Sequence, residues 1–292
     1  MNWLLYAILG AILAGVSPVF AKSGMRKSSA YLAAALRGTF IFLSALFMVN
    51  LTGTEQNLTK LGQQTLLYLI FSGIVTAIVW ICLLRALQLG EVIKVVPIVE
   101  GTTALNLLVG IFLFEQALNW NKIAILIAFV VGILMMCTKG STRGQRTGVW
   151  IGYAIGAMAL TTVTVIFERI GYSGVNTYYE RLVRYGVALI VVWVVTVATK
   201  GYKGLRAMSF LDGLYLCFSG AAIGGAWYCF YKAYALGINA SVELVEKFDL
   251  VAAVVLGCVF LRERLSIRAI FGLILMMTGF WLLLADLPVI PL

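Results

Sequence analysis

The chain repeats itself, because residues of the same type recur 147 positions apart from one end of the sequence to the other. The pairs include Phe20 and Phe167, Gly24 and Gly171, Tyr31 and Tyr178, Arg37 and Arg184, Trp80 and Trp227, Gly110 and Gly257, and Gly132 and Gly279. Since the offset does not drift, both copies should contain the same elements joined by loops of matching length. We therefore divide the chain into a first copy, residues 1–145, and a second copy, residues 146–292.

Each copy contains five long apolar segments. They cover residues 3–21, 29–50, 65–88, 91–113 and 122–138 in the first copy, and residues 148–167, 178–199, 210–236, 239–261 and 266–285 in the second. A membrane-spanning helix needs about 20 mostly apolar residues, and these segments lack the alternating pattern of barrel strands. Five crossings are an odd number, so the second copy must enter the membrane from the opposite side. The sequence predicts an all-α integral membrane protein with ten transmembrane helices in two inverted five-helix repeats.

Composition supports a lipid environment. Hydrophobic residues make up 62% of the chain and charged residues 12%, whereas a soluble domain has about a quarter charged residues. The net charge of +10 does not indicate nucleic acid, because 14 of the 22 Lys and Arg residues fall on one predicted side of the membrane and five on the other. By the positive-inside rule this asymmetry places both termini outside the cell membrane.

The sequence lacks the residue patterns typical of catalytic and metal-binding sites. The chain has no histidine, and its five cysteines form no CxxC motif. It also lacks the GxxxxGK[ST] phosphate loop, so direct use of ATP by this chain is not expected. The sequence predicts neither an enzyme nor a site for a metal or another cofactor.

Two arginines occupy equivalent places in the middle of predicted helices. An arginine at mid-bilayer costs roughly 2.5–3.5 kcal/mol on insertion scales, so Arg37 and Arg184 are expected to face a cavity or a partner. Each guanidinium could clamp a carboxylate or phosphate of a substrate. The alternative is a structural salt bridge, and Glu180 lies one turn from Arg184.

The ninth segment holds a cluster of charges, namely Glu243, Glu246, Lys247 and Asp249. Three acids exceed the one base, and a buried carboxyl can hold a proton at neutral pH. The cluster is therefore a candidate for ion coupling or substrate binding, and a static ion-pair network is the alternative.

The fourth segment is the counterpart of the ninth and contains Pro97 followed by Glu100. Proline removes a backbone hydrogen bond and kinks a helix, so Glu100 would lie beside an opened turn. A simple kink with Glu100 in an ion pair is equally compatible. The second copy has Leu244 in place of the proline, so the kink is expected in the first copy only.

Aromatic side chains offer a second kind of site. Trp80 and Trp227 repeat deep in the third and eighth segments, and the second copy adds Tyr228, Tyr231 and Tyr234. Aromatic walls can hold a flat or cationic ligand, although aromatics in membrane helices also serve as packing residues. Glycines in the sixth and eighth segments indicate close helix contacts, namely Gly152, Gly156, Gly220, Gly224 and Gly225.

Three motifs recur in both copies. The first copy has WICLLRALQLG at 80–90, KVVPIVE at 94–100 and FLFEQAL at 112–118, and the second has WYCFYKAYALG at 227–237, SVELVEKFD at 241–249 and FLRERLS at 260–266. These motifs resemble those of the drug/metabolite transporter superfamily, in particular EamA-type permeases. The resemblance covers the whole chain and implies a carrier whose helices 1, 3, 4, 6, 8 and 9 line a central cavity. Relatives are expected to keep their termini in the cytoplasm, whereas the charges of this chain favour termini outside.

The functional hypothesis is a secondary transporter that moves a small polar or zwitterionic, amino-acid-like metabolite by alternating access, with protons as a possible coupling ion. The alternatives are an exporter of cationic, aromatic drugs and a non-transporting, flippase-type membrane subunit. The substrate-binding candidates are Arg37, Trp80, Arg184, Trp227 and Tyr231, and the candidates for coupling or substrate binding are Glu100, Glu243, Glu246 and Asp249. The expected partners are a small molecule and the lipid bilayer, without nucleic acid.

Overall fold

The computed structural model describes residues 2–26, 28–54, 62–137, 148–171, 175–237 and 239–286. These residues form α-helices and connecting loops without a β-strand. The helices are α1 (Asn2–Gly24), α2 (Ala30–Thr52), α3 (Gln63–Leu89), α4 (Val92–Glu100), α5 (Thr102–Leu113), α6 (Trp120–Met136), α7 (Val149–Gly171), α8 (Thr177–Ala198), α9 (Phe210–Leu236), α10 (Asn239–Glu246), α11 (Asp249–Phe260) and α12 (Ile267–Asp286). A 3₁₀ helix covers Gly201–Arg206 between α8 and α9.

The repeat extends to backbone detail. Helix α9 begins and ends 147 residues after α3 does, and α7 begins and ends 147 residues after α1 does. Ser29 and Asn176 are equivalent N-cap residues, and each side chain accepts a hydrogen bond from a backbone N–H of the first turn. Glu115 and Arg262, also 147 apart, share a left-handed backbone with φ of 50° and 55°. The predicted all-α fold with two repeats is confirmed. The predicted boundary between residues 145 and 146 lies outside the described residues and stays a prediction.

Both copies contain an interrupted helix, which corrects one expectation. The fourth segment breaks at Gly101, between α4 and α5, and the ninth breaks at Lys247 and Phe248, between α10 and α11. The prediction of a kink in the first copy alone is therefore wrong. Before each break the chain tightens into an i to i+3 hydrogen bond, from Gly101 N to Ile98 O at 3.0 Å and from Phe248 N to Val245 O at 3.1 Å. Because the second copy achieves this without proline, the break does not depend on the missing N–H of Pro97.

Within the described residues, eight helical segments are long and apolar enough to cross a membrane, counting α4 and α5 as one span. The helix α6 is apolar but has 17 residues, and α10 and α11 are both short. The chain is thus a multi-pass membrane protein. The count of ten crossings stays a prediction that depends on α6 and on the α10–α11 pair.

The two copies interlock through antiparallel helix pairs. At one end of the bundle, a Cβ placed on Gly24, the last residue of α1, would lie 2.6 Å from Asp212 O of α9. At the other end, a Cβ on Gly237, just after α9, would lie 2.9 Å from the Trp3 ring of α1. The pair α3 and α7 repeats this arrangement with Trp150 against Gly90. These contacts require glycine because any side chain would collide with its neighbour.

Other glycines divide into two groups. A Cβ on Gly220 would lie 2.5 Å from Arg37 O, and one on Gly224 would collide with Ser44, so both glycines of α9 permit close contact with α2 as expected. The same expectation is wrong for Gly152 and Gly156 of α7, because a Cβ at either position would meet open space.

The end of the bundle that holds Lys22, Lys200, Lys203 and Arg206 is called the basic end below. It brings together the end of α1, the start of α2 and the 3₁₀ helix, where a Cβ on Gly201 would lie 3.2 Å from Ser29 Oγ.

Candidate functional site

The two repeated tryptophans meet at a single tyrosine. The ring of Tyr185, from α8, stacks on Trp227 with a centroid distance of 5.5 Å and an interplanar angle of 6°. Its centroid also lies 5.6 Å from that of Trp80 at an angle of 36°. Offset aromatic contacts of this kind add about 0.5–1.5 kcal/mol to area burial. The stack therefore joins α3, α8 and α9 at the centre of the bundle.

The stack breaks the symmetry of the repeat. The residue equivalent to Tyr185 is Gly38 of α2, and a Cβ on Gly38 would lie 2.6 Å from the Trp80 ring. In the first copy, Gly38 leaves space for the ring of Trp80. In the second copy, the ring of Tyr185 lies between Trp80 and Trp227.

A polar cavity of about 260 Å³ lies beside this stack. Its lining consists of Thr177, Tyr178, Arg181, Trp227, Phe230, Tyr231, Tyr234 and Glu246. Because α8 begins at Thr177 and α9 ends at Leu236, the cavity lies toward the end of the bundle opposite the basic end. We call this the cavity end.

Opposite charges face the cavity. The guanidinium of Arg181 lies 5.4 Å from the ring centroid of Trp227. The hydroxyl of Tyr234 donates a hydrogen bond to Glu246 Oε2 at 2.9 Å. The rings of Tyr178 and Tyr231 meet edge to face with centroids 5.8 Å apart. The cavity therefore offers one cation and one anion between aromatic walls.

The two helix breaks gather a second set of charges. Glu100 and Lys247 are 147 residues apart, so the repeat places an acid and a base at equivalent points, each at its break. Lys247 interacts electrostatically with Glu100, with Glu243 and Glu246 of α10, and with Asp249 of α11, and its Nζ lies 5.5 Å from the ring centroid of Phe280. The predicted charge cluster is thus assembled from both copies.

Asp249 is the first residue of α11, where the positive end of the helix dipole favours an anion. Among the described residues, its buried Oδ1 has no hydrogen-bond partner. A buried carboxylate oxygen without a partner is costly, so Asp249 is suited to gain a proton or a ligand.

Arg37 lies in a separate network where α1, α2 and α9 meet. Its Nε donates to Ser219 Oγ at 3.0 Å and its Nη2 to Ser17 Oγ at 3.1 Å. The two serines are fully buried and also bond to each other. Arg37 is not among the residues that line the polar cavity. These contacts favour packing over substrate binding for this arginine.

Arg184 forms the local ion pair that its spacing allowed. Its Nη1 lies 3.2 Å from Glu180 Oε1, and the Glu180 side chain is 3% exposed. Nη1 also lies 4.0 Å from Glu168 Oε2 of α7, and the guanidinium lies 5.3 Å from the Tyr185 ring centroid. Arg184 therefore contacts the stack through Tyr185 and does not line the polar cavity.

The structure thus separates the predicted candidates. Trp227, Tyr231 and Glu246 line the cavity, and Trp80 supports it through Tyr185. Glu100, Glu243 and Asp249 form the neighbouring cluster. Sequence reasoning named Tyr234 among the aromatic walls but missed Arg181 and Tyr185. The available signal was spacing, because Arg181 and Tyr185 are one helical turn apart and replace Ala34 and Gly38 of the first copy.

Comparisons with known proteins agree with this architecture. The model of the EamA-like transporter family matches the chain over residues 1–138 and again over 148–285. A curated relative from Sinorhizobium sp., named "Uncharacterized transporter in cobO 3'region", is 28% identical over 134 residues, which are 46% of this chain and 95% of that protein. A solved crystal structure is 14% identical with a TM-score of 0.57, covering 95% of this chain and 94% of that chain. At this identity the structural likeness concerns the fold alone.

A two-repeat bundle of long apolar helices is the architecture of a multi-pass membrane protein. The chain belongs to the EamA-like transporter family, as its motifs indicated.

The role of the Arg184 ion pair can be tested by stability. In Arg184→Gln the buried carboxylate of Glu180 loses its partner, which is expected to cost about 3–5 kcal/mol of unfolding free energy. The double variant Glu180→Gln/Arg184→Gln should regain much of this loss because no charge is left buried. Thermal unfolding of the purified variants in one detergent measures both effects, with Arg85→Gln as the control for loss of an exposed arginine. An unchanged melting temperature for Arg184→Gln would contradict the structural role.

Proposed function

We propose that this protein is a secondary transporter of the cell membrane that moves a small zwitterionic, amino-acid-like metabolite by alternating access. The observation that carries the proposal is the pairing of Arg181 and Glu246 in one aromatic-walled cavity. A guanidinium binds a carboxylate through parallel hydrogen bonds, and a carboxylate with adjacent aromatic faces binds an ammonium group.

The cavity size favours a small substrate over a drug-sized one. Its volume of about 260 Å³ is below the roughly 300–1,000 Å³ typical of pockets for drug-sized ligands. The aromatic walls also suit a flat cation, so an exporter of cationic, aromatic drugs is the second candidate. A cationic drug would contact Glu246 and the aromatic rings. It would bring its positive charge close to Arg181 and offer that guanidinium no carboxylate.

Alternating access is supported by the two interrupted helices. Helix breaks are hinge points at which a half-helix can tilt without disturbing the rest of the bundle. Both breaks adjoin the charge cluster, and α10 carries Glu246 into the cavity. A movement of α10 would therefore change the cavity and the charge cluster together.

Proton coupling would use the same neighbourhood. The charged and titratable groups that interact there are Glu100 of α4, Glu243 and Glu246 of α10, Lys247 at the break, Asp249 of α11 and Tyr234 of α9. Glu246 contacts both the cavity and Tyr234, so it remains the first choice for a carboxyl that exchanges a proton as substrate binds. Asp249 is the second choice because its Oδ1 is buried without a partner among the described residues.

The substrate class predicts a pattern of ligand-induced stabilisation. Zwitterionic amino acids should raise the melting temperature of the purified protein, because a ligand that binds the folded state stabilises it by about 2.7 kcal/mol at 100 times its Kd. The matching amines should lose this effect because they lack a carboxylate for Arg181. Arg181→Gln should then bind amino acids and amines alike, while the exposed control Arg264→Gln keeps the wild-type preference. Stabilisation by quaternary aromatic cations alone would favour the drug exporter.

If Glu246 couples transport to protons, its substitution should affect substrate exchange and pH-driven accumulation differently. In proteoliposomes, Glu246→Gln should still exchange labelled substrate, with a higher KM because an amide binds the ammonium group more weakly than a carboxylate. The variant should lose uptake driven by a pH gradient, because the amide cannot give up a proton. The control Glu115→Gln alters an exposed carboxyl at the cavity end and should keep both activities. Full pH-driven uptake by Glu246→Gln, with normal stability, would exclude this residue from coupling.

The charge asymmetry predicts the orientation. Lys200, Lys203 and Arg206 gather with Lys22 at the basic end, which the positive-inside rule assigns to the cytoplasm. Both termini would then lie outside. A reporter that is active only in the cytoplasm should stay silent when fused after Leu292, which lies outside the described residues, and should be active when inserted in the 3₁₀ helix. Strong activity of the C-terminal fusion would reverse the orientation.

A further inference from the structure

The basic end is closed by a buried ionic contact. Lys22 Nζ of α1 lies 2.7 Å from Glu263 Oε1, in the loop between α11 and α12, and also donates to Gly90 O at 2.6 Å. The same carboxylate accepts hydrogen bonds from the backbone N–H groups of Val92 and Ile93, both at 3.0 Å. Glu263 therefore caps the start of α4 and ties it to α1.

This contact is shielded from solvent. The Glu263 side chain is 6% exposed and that of Lys22 is 24% exposed. Ion pairs on a protein surface are weak because water screens them, whereas a shielded carboxylate with three donors is held firmly. We call Lys22 and Glu263 the basic-end latch.

The repeat places the corresponding residues at the cavity end, but there they differ in charge. Glu263 corresponds to Gln116 and Lys22 corresponds to Arg169. The local backbone is the same, since Gln116 N bonds to Gly110 O at 3.1 Å and Glu263 N bonds to Gly257 O at 3.3 Å. Gln116 is nevertheless exposed, and the guanidinium of Arg169 lies 5.4 Å from the ring centroid of Phe114.

Helix packing shows the same asymmetry. At the basic end α4 packs against α11. Under the repeat, the matching pair at the cavity end is α10 and α5, and these helices lack comparable packing within the described residues. Among the described helices, the basic end is therefore closed by packing of α4 on α11, whereas the matching pair leaves the cavity end open.

We propose that the basic-end latch is the gate of this transporter and that its charge biases the resting protein toward the conformation open at the cavity end. In the opposite conformation Gln116 would cap the start of α10 as Glu263 caps α4. A neutral amide is a weaker hydrogen-bond acceptor than a carboxylate. The cap formed on closing the cavity end would therefore stabilise that conformation less than the Glu263 cap stabilises the one closed at the basic end. This proposal rests on alternating access in the proposed function.

Hydrogen exchange of the purified protein, without substrate, tests the latch. In Glu263→Gln the start of α4 should exchange at least tenfold faster, because its cap is weakened. At the same time α10 and the loop of residues 114–119 should exchange more slowly, because the population shifts to the conformation closed at the cavity end. The control Glu115→Gln removes an exposed carboxyl from the equivalent loop and should change neither end.

A second variant guards against a folding defect. Gln116→Glu places a carboxylate at the cavity-end position and should slow the exchange of α10 while speeding that of α4. Faster exchange at α4 without slower exchange at α10 would show that Glu263 is only a local helix cap, and would overturn the proposal, as would unchanged exchange in both variants. Reciprocal changes in a protein that transports none of the tested substrates would leave the gate standing and reject the proposed function instead.

Discussion

The close antiparallel packing of α1 on α9 and of α3 on α7 is the constraint on which the rest of the structure depends. Each pair joins one helix from each copy, and glycines at both ends let the backbones approach until aromatic rings or main-chain atoms are in contact. In lipid, such packing has to replace the hydrophobic effect between helices. The interlocked pairs bring Trp80 and Trp227 to the centre and leave room for the interrupted helices beside them.

The chemistry of the site lies where the two copies differ. Paired positions hold Gly38 and Tyr185, Ala34 and Arg181, Glu100 and Lys247, and Gln116 and Glu263. A symmetric bundle would have two equal cavities and two equal gates. Instead, these differences place the polar cavity at one end of the described bundle, a mixed charge cluster at the helix breaks and the Lys22–Glu263 contact at the basic end. The functional proposals rest on these four differences.

Several features could be predicted because they depend on local pattern. The apolar segments predicted the positions of the helices along the chain, and the offset of 147 identified Trp80 and Trp227 as equivalent residues. The spacing of Glu180 and Arg184 gave the observed ion pair. Other features depended on partners distant in sequence. Arg37 donates hydrogen bonds to Ser17 and Ser219, which lie on two other helices. The second helix break forms where the sequence has no proline to indicate it.

The amino-acid sequence by itself determined the membrane setting, the two-repeat helical fold and the family, because apolar length, periodic repetition and motif spacing are properties of a linear chain. Only the tertiary structure decided which charges meet. Coulombic and hydrogen-bond energies depend on distances of a few ångströms between helices that are far apart in sequence. Arg181 and Glu246 share a cavity, and Lys22 reaches Glu263 across 241 positions, because interlocked helices bring them together.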